Sequence, residues 1–141
     1  MANIDSDAIR QAYEDVRNDS SPTVWAVFKY EDKKIVYTGD CGENYDDFLN
    51  FCEDDNRIYA YVRVETGDEM SKRAKFALIT WLGKGVSAMN KAKVSTDKAL
   101  LKEACPNFAL ELLEEDKAEI SKEKVVEAVK KAGGANYGTG N

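Results

Sequence analysis

Apolar residues fall first at helical spacing. Ile9, Ala12, Tyr13 and Val16 stand at i, i+3, i+4 and i+7, one face of a helix, and Asp5 or Ser6 is placed to cap it. Asp19-Ser20-Ser21-Pro22 breaks that pattern, and Val24 to Tyr30 then reads as a strand of Val and aromatic residues. A turn at Glu31–Lys34 leads to a second strand, Ile35–Tyr37, closed by Gly39-Asp40-Cys41-Gly42. Helical spacing returns at Tyr45, Phe48, Leu49 and Cys52. From Arg57 to Glu65 the period becomes two: Ile58, Ala60, Val62 and Val64 face one way, and Tyr59, Tyr61 and Arg63 the other. Lys75 to Leu82 is nearly all apolar, as expected of a strand covered on both faces.

Val86 to Ala104 reads as a long helix with few large apolar residues at its middle. Its small residues Ala88, Ala92, Ser95 and Ala99 form one stripe, which predicts a helix lying close on a sheet with much of its remaining surface exposed. Pro106 ends it, Phe108 to Leu113 reads as a strand, and Val125, Ala128, Val129 and Ala132 mark a last helix. Gly133-Gly134 is placed to end that helix, which divides the chain into a domain over 1–134 and a flexible tail over 135–141. Hairpins mixed with helix crossovers predict an α+β domain with a mixed, helix-covered sheet.

Composition changes this picture mainly by exclusion. The 141 residues suit one domain. The sequence contains no histidine, which removes Ser-His-Asp and Cys-His nucleophile pairs and histidine zinc sites. The longest apolar run, Phe76 to Leu82, is far short of the roughly 20 residues of a membrane span, so the chain is not expected to span a membrane, and its start shows no secretory signal. Cys41, Cys52 and Cys105 do not pair as C-x-x-C, so they read as free thiols in a reducing cytosol, with Cys52 as a small core residue. Gly83-Lys84-Gly85 lacks the spacing of a phosphate loop. The adjacent carboxylates Asp46-Asp47, Asp54-Asp55 and Glu114-Glu115-Asp116 point apart on helix or strand. No metal, cofactor or catalytic constellation is expected, and the chain does not read as an enzyme.

Charge restores one candidate. Between residues 71 and 102 lie eight bases and one acid, Asp97, a local +7 within a chain of net charge −6. An acidic chain with one basic segment argues against nucleic acid as a partner and for a local patch facing an acidic one. Two clusters stand out. Ser71-Lys72-Arg73-Ala74-Lys75 leads into the buried strand, with Arg73 and Lys75 on one face and Lys72 on the other. The second is the start of the long helix, with Met89, Asn90, Lys91 and Lys93; Lys91, Lys98 and Lys102 share a helix face.

The stretch from Thr66 through Gly83, Thr-Gly-Asp-Glu-Met-Ser-Lys-Arg-Ala-Lys-Phe-Ala-Leu-Ile-Thr-Trp-Leu-Gly, resembles the coactosin branch of the actin-depolymerising-factor homology family, to which cofilin also belongs. Phe28-Lys29-Tyr30, Val62-Arg63, Val86-Ser87, Thr96-Asp97-Lys98 and Lys131 through Tyr137 carry the same likeness. The resemblance implies that family's fold, a mixed five- to six-stranded sheet covered by helices on both faces. It also implies a cytoplasmic, monomeric protein of the actin cytoskeleton that binds the sides of filamentous actin without catalysis. Actin-binding residues would be Lys72, Arg73, Lys75, Ser87, Met89, Asn90, Lys91 and Lys93, with a flexible contact loop of Thr66, Gly67, Asp68, Glu69, Met70 and Ser71. Monomeric actin is a further partner the resemblance leaves open; the cation cluster itself leaves phosphoinositides open, and the alternative reading is a phosphoinositide-responsive adaptor at a membrane surface using the same cations. Either reading expects the strand entrance and the helix start to converge on a single docking surface. The regulatory serine found immediately after the initiator in cofilin is missing here; the nearest serine is Ser6.

Overall fold

The computed structural model describes residues 3–67 and 73–138, with side chains to residue 132. Its centre is one mixed sheet. The strands are β1 (Asn3–Ile4), β2 (Trp25–Glu31), β3 (Lys34–Val36), β4 (Cys41–Gly42), β5 (Arg57–Thr66), β6 (Arg73–Leu82) and β7 (Leu110–Glu114). They lie in the order β1-β3-β2-β5-β6-β7, with β4 also paired to β2. β1–β3 and β6–β7 are parallel, and the other pairs are antiparallel. The two-residue strands β1 and β4 bring the sheet to seven strands. Such short segments carry no periodicity, so the sequence pattern shows only the five longer strands.

The period-two reading of β5 holds in space. Tyr59 and Tyr61 join one apolar cluster with Phe28, Leu78 and the buried faces of α1 (Ser6–Arg17) and α3 (Ala88–Ala104). Ile58, Ala60, Val62 and Val64 join the other, with Trp25, Ile79, Trp81, α2 (Tyr45–Phe48) and Val125 and Val129 of α4 (Lys122–Gly138). A sheet buried on both sides explains why β5 and β6 are apolar on both faces. α1 buries Ile9, Ala12, Tyr13 and Val16, as its spacing predicts.

Two helices differ from expectation. On α3 the small stripe does not face the sheet: Ala88, Ala92, Ser95 and Ala99 are all exposed. The buried line is Val94, Asp97, Leu101 and Ala104, because the two larger aliphatics bury more apolar area than any set of alanines. α4 continues through Gly133-Gly134 to Gly138, so the tail expected from residue 135 begins inside a helix. Glycine costs a helix only about 1 kcal/mol against alanine, and Ala132 and Ala135 flank the pair.

Candidate functional site: the two charged ends of the sheet

α3 starts where β6 ends. Gly83, directly after β6, packs so tightly that a Cβ there would sit 2.2 Å from the Asp54 carbonyl oxygen, so the β6–α3 turn requires glycine. Ser87 then caps α3, its Oγ accepting from the Asn90 amide at 3.2 Å. That assigns a structural role to two of the predicted contact residues: the Ser87 hydroxyl and the Asn90 backbone hold the helix start. Met89 projects into solvent, 69 % exposed. Lys93, one turn on along the same face, is exposed as well. Lys91 is half-buried and turns toward Glu115, with Nζ 3.5 Å from its carboxylate. Lys98 and Lys102 both close on Glu111 at 2.8 Å, and these two lysines, Lys102 first, hold the Glu111 carboxyl below its ordinary pKa. The basic face read along α3 is therefore largely neutralised by the acids of β7 and the segment after it. Lys93 keeps its charge toward solvent.

Beside Met89 an open pocket of about 490 Å³ separates α3 from the β2–β3 turn and the start of β5, lined by Tyr30, Lys33, Arg57, Met89, Lys93 and Asp97 among others. Asp97 is 4 % exposed. The Tyr30 hydroxyl donates to its Oδ2 at 2.8 Å, and the Tyr59 hydroxyl donates to the Val94 carbonyl at 2.6 Å. With both protons so committed, the 3.2 Å contact between the two hydroxyl oxygens carries none. Burial, above all, pushes the Tyr59 hydroxyl up to about 12 and Tyr30 higher still. The Arg57 guanidinium lies over the Tyr30 ring, 4.1 Å from its centroid, a cation–π arrangement.

Sequence reasoning missed Tyr30, Lys33, Arg57 and Asp97. Asp97 did leave a signal, since it lies three residues after Val94 and four before Leu101, on the line of the helix that packs inward. The other three come from separate elements, and only the sheet brings them together.

Arg73 and Lys75 lie elsewhere. Arg73 pairs with Thr66, and Leu82 pairs with Arg57, at the two ends of the β5–β6 ladder. Ten residues of β6 at about 3.3 Å each separate those ends by roughly 30 Å. α3 begins at the Leu82 end. It runs back to Ala104, and beyond it the Ala109 amide donates to the Phe76 carbonyl at 2.8 Å, where β7 begins. Arg73 and Lys75 also share their face of β6 with Ala77, Ile79 and Trp81, which pack in the α4 cluster, whereas α3 packs in the opposite one. The expected convergence on one surface is thus overturned for the described cations: strand pairing and side-chain alternation put Arg73 and Lys75 at the end and on the face of the sheet opposite the start of α3. Arg73 is exposed and Lys75 half-buried. Thr66 ends β5, and Gly67 follows with φ +104°, a left-handed conformation that favours glycine. Asp68, Glu69, Met70, Ser71 and Lys72 lie outside the described residues.

Residues 1–130 match the model of the cofilin/tropomyosin-type actin-binding proteins. The chain belongs to that family. Within it, the chain is 51 % identical over 134 residues to the coactosin-like protein of Bos taurus, an alignment covering 95 % of this chain and 94 % of that one. It is 37 % identical over 139 residues to coactosin of Dictyostelium discoideum, covering 97 % and 95 %. A crystal structure of human coactosin-like protein superposes with a TM-score of 0.89 at 46 % identity, over 93 % of this chain and 99 % of that one. The solution structure of mouse coactosin, described as an actin filament binding protein, does so with a TM-score of 0.80 at 48 % identity, over 98 % and 96 %. The cofilin-type fold is therefore shared, and the two charged ends are features of an actin-binding domain. Among the described residues no helix is long and apolar enough to cross a membrane.

Proposed function

We propose that this chain binds the sides of actin filaments without catalysing a reaction, working in the cytoplasm through two separate contacts. One is the start of α3, with Met89 and Lys93 at its centre and Asn90 and Lys91 beside them; Ser87 serves it as the cap. The other is the entrance to β6, where Arg73 and Lys75 supply charge, with Lys72 and the loop from Thr66 to Ser71 adjoining them in sequence. The observation that carries the reading is Met89, a large apolar side chain held 69 % exposed on a capped helix in an actin-binding family. Methionine is among the residue types enriched at the centres of protein interfaces. Contacts roughly 30 Å apart along β6 and on opposite faces suit a polymer, which presents more than one subunit, better than a single actin monomer.

Co-sedimentation with filamentous actin, run beside a monomer-binding assay, tests this. The chain is expected to pellet with filaments and to bind monomers far more weakly. A chain that stays in the supernatant at tens of micromolar sinks the reading. No observation favours the membrane-surface alternative, and the pairing of Lys98 and Lys102 with Glu111 thins the cation cluster that an anionic lipid surface would need.

A further inference from the structure

The pocket beside Met89 holds a charge that the fold leaves uncompensated. Arg57, Lys33 and Lys93 bring three cations to it from β5, the β2–β3 turn and α3, against two acids, Asp32 and Asp97. Asp97 already accepts from Tyr30. Arg57 forms no ion pair among the described residues, and its Nη1 is buried without a hydrogen-bond partner. A buried charged donor lacking an acceptor is costly. The planar guanidinium, with its carbon 4.1 Å above the Tyr30 ring centroid, is a rigid fork whose shape matches a carboxylate. A carboxylate entering the pocket approaches Arg57, and a turn of the guanidinium presents the unpartnered Nη1 to it as one arm of a bidentate pair. Lys33 and Lys93, both exposed, stand at the rim, and Met89 forms an apolar wall.

We infer that this pocket is a socket for an acidic side chain of an actin subunit, with Arg57 and Lys33 as its anchors. The proposal rests on the filament-binding reading and extends that contact from α3 to the β2–β3 turn and β5. The matching partner segment carries an acidic residue beside an apolar one, the first meeting Arg57 and the second covering Met89. A small free carboxylate fits less well, because it would leave Met89 in water. Charge complementarity of this kind sets register and partner choice.

The test is filament co-sedimentation at fixed low ionic strength with four variants. Arg57→Gln removes the fork and is expected to weaken binding about tenfold, the effect of one desolvated interface anchor. Arg57→Lys keeps charge without the fork and is expected to weaken binding by about threefold. Lys33→Glu, on an exposed turn, is expected to weaken it by about threefold or more. Lys34→Glu makes the same charge change one residue on, outside the pocket lining, and is expected to bind as wild type. Thermal unfolding confirms that each variant is folded; if Arg57→Gln is not, Lys33→Glu against Lys34→Glu decides. Wild-type pelleting by both Arg57→Gln and Lys33→Glu, or equal losses in Lys33→Glu and Lys34→Glu, overturns the socket and leaves the filament reading standing. Failure of the wild type to pellet overturns both.

Discussion

Tyr59 spans the core from β5 to α3, and its hydroxyl ties the Val94 carbonyl at 2.6 Å while its ring packs among buried side chains. Tyr59→Phe keeps the packing and loses only that bond. It is expected to lower stability by about 1 kcal/mol, read as a fall in Tm, and a loss of filament binding greater than the loss of stability would show that the bond also positions α3. The cysteines divide just as sharply. Cys41 is exposed, whereas Cys52 and Cys105 are buried, with burial pushing each thiol up to about 12. A thiol reagent at neutral pH is therefore expected to modify one cysteine in the native protein and all three in denaturant; fast modification of three in the native state contradicts the core placement. At this scale the pattern was readable for Cys52, which sits at core spacing; Asp97 left only the signal of its place between Val94 and Leu101. It was not readable for Arg57, whose role depends on an aromatic ring from one strand and a helix that follows it by thirty residues.

Among the elements, α3 shows where pattern reading stops. The stripe of small residues was visible, but period alone does not say which face turns inward; Val94 and Leu101 decide that. Val94→Ala is expected to cost roughly 2–3 kcal/mol by leaving a cavity. Ala99→Leu, on the exposed stripe, is expected to change stability by less than about 0.5 kcal/mol. Chemical denaturation compares the two, and a reversed order would place the wrong face against the sheet. The clamp from α3 to β7 predicts a pH signature. Lys102 and Lys98 hold the Glu111 carboxyl below its ordinary range, so the folded protein binds that proton less readily than the unfolded chain. The resulting stabilisation is present above the ordinary carboxylate range and disappears as pH falls through the depressed folded value. Wild type is thus expected to exceed Glu111→Gln in stability near neutrality, by less than about 1 kcal/mol, with the gap closing in acid. A gap that widens in acid contradicts the clamp.

For the whole molecule, the family resemblance and the helix-covered sheet were legible from residues 66–83 and from the alternation in β5. The relation between the two charged clusters was not. Only nine positions of β6 separate Arg73 from Leu82, and in sequence that looks like adjacency; an extended strand converts it into opposite ends. Contacts so far apart, without shared neighbours, are expected to contribute independently. Lys75→Ala and Met89→Ala should each weaken co-sedimentation, and the double variant should show the product of the two losses. Lys75→Ala should also flatten the decline of binding with added salt, because it removes screened attraction, while Met89→Ala should not. Strong non-additivity would mean that one contact forms only through the other. The amino-terminal stitch carries one more consequence. The amides of Asn3 and Asp5 donate to the carbonyls of Lys33 and Ile35 at 3.1 and 2.9 Å, so the backbone beside the socket is latched from outside. An occupant that steadies Lys33 should slow deuterium uptake at Asn3, making the start of the chain a native gauge of whether the socket is filled.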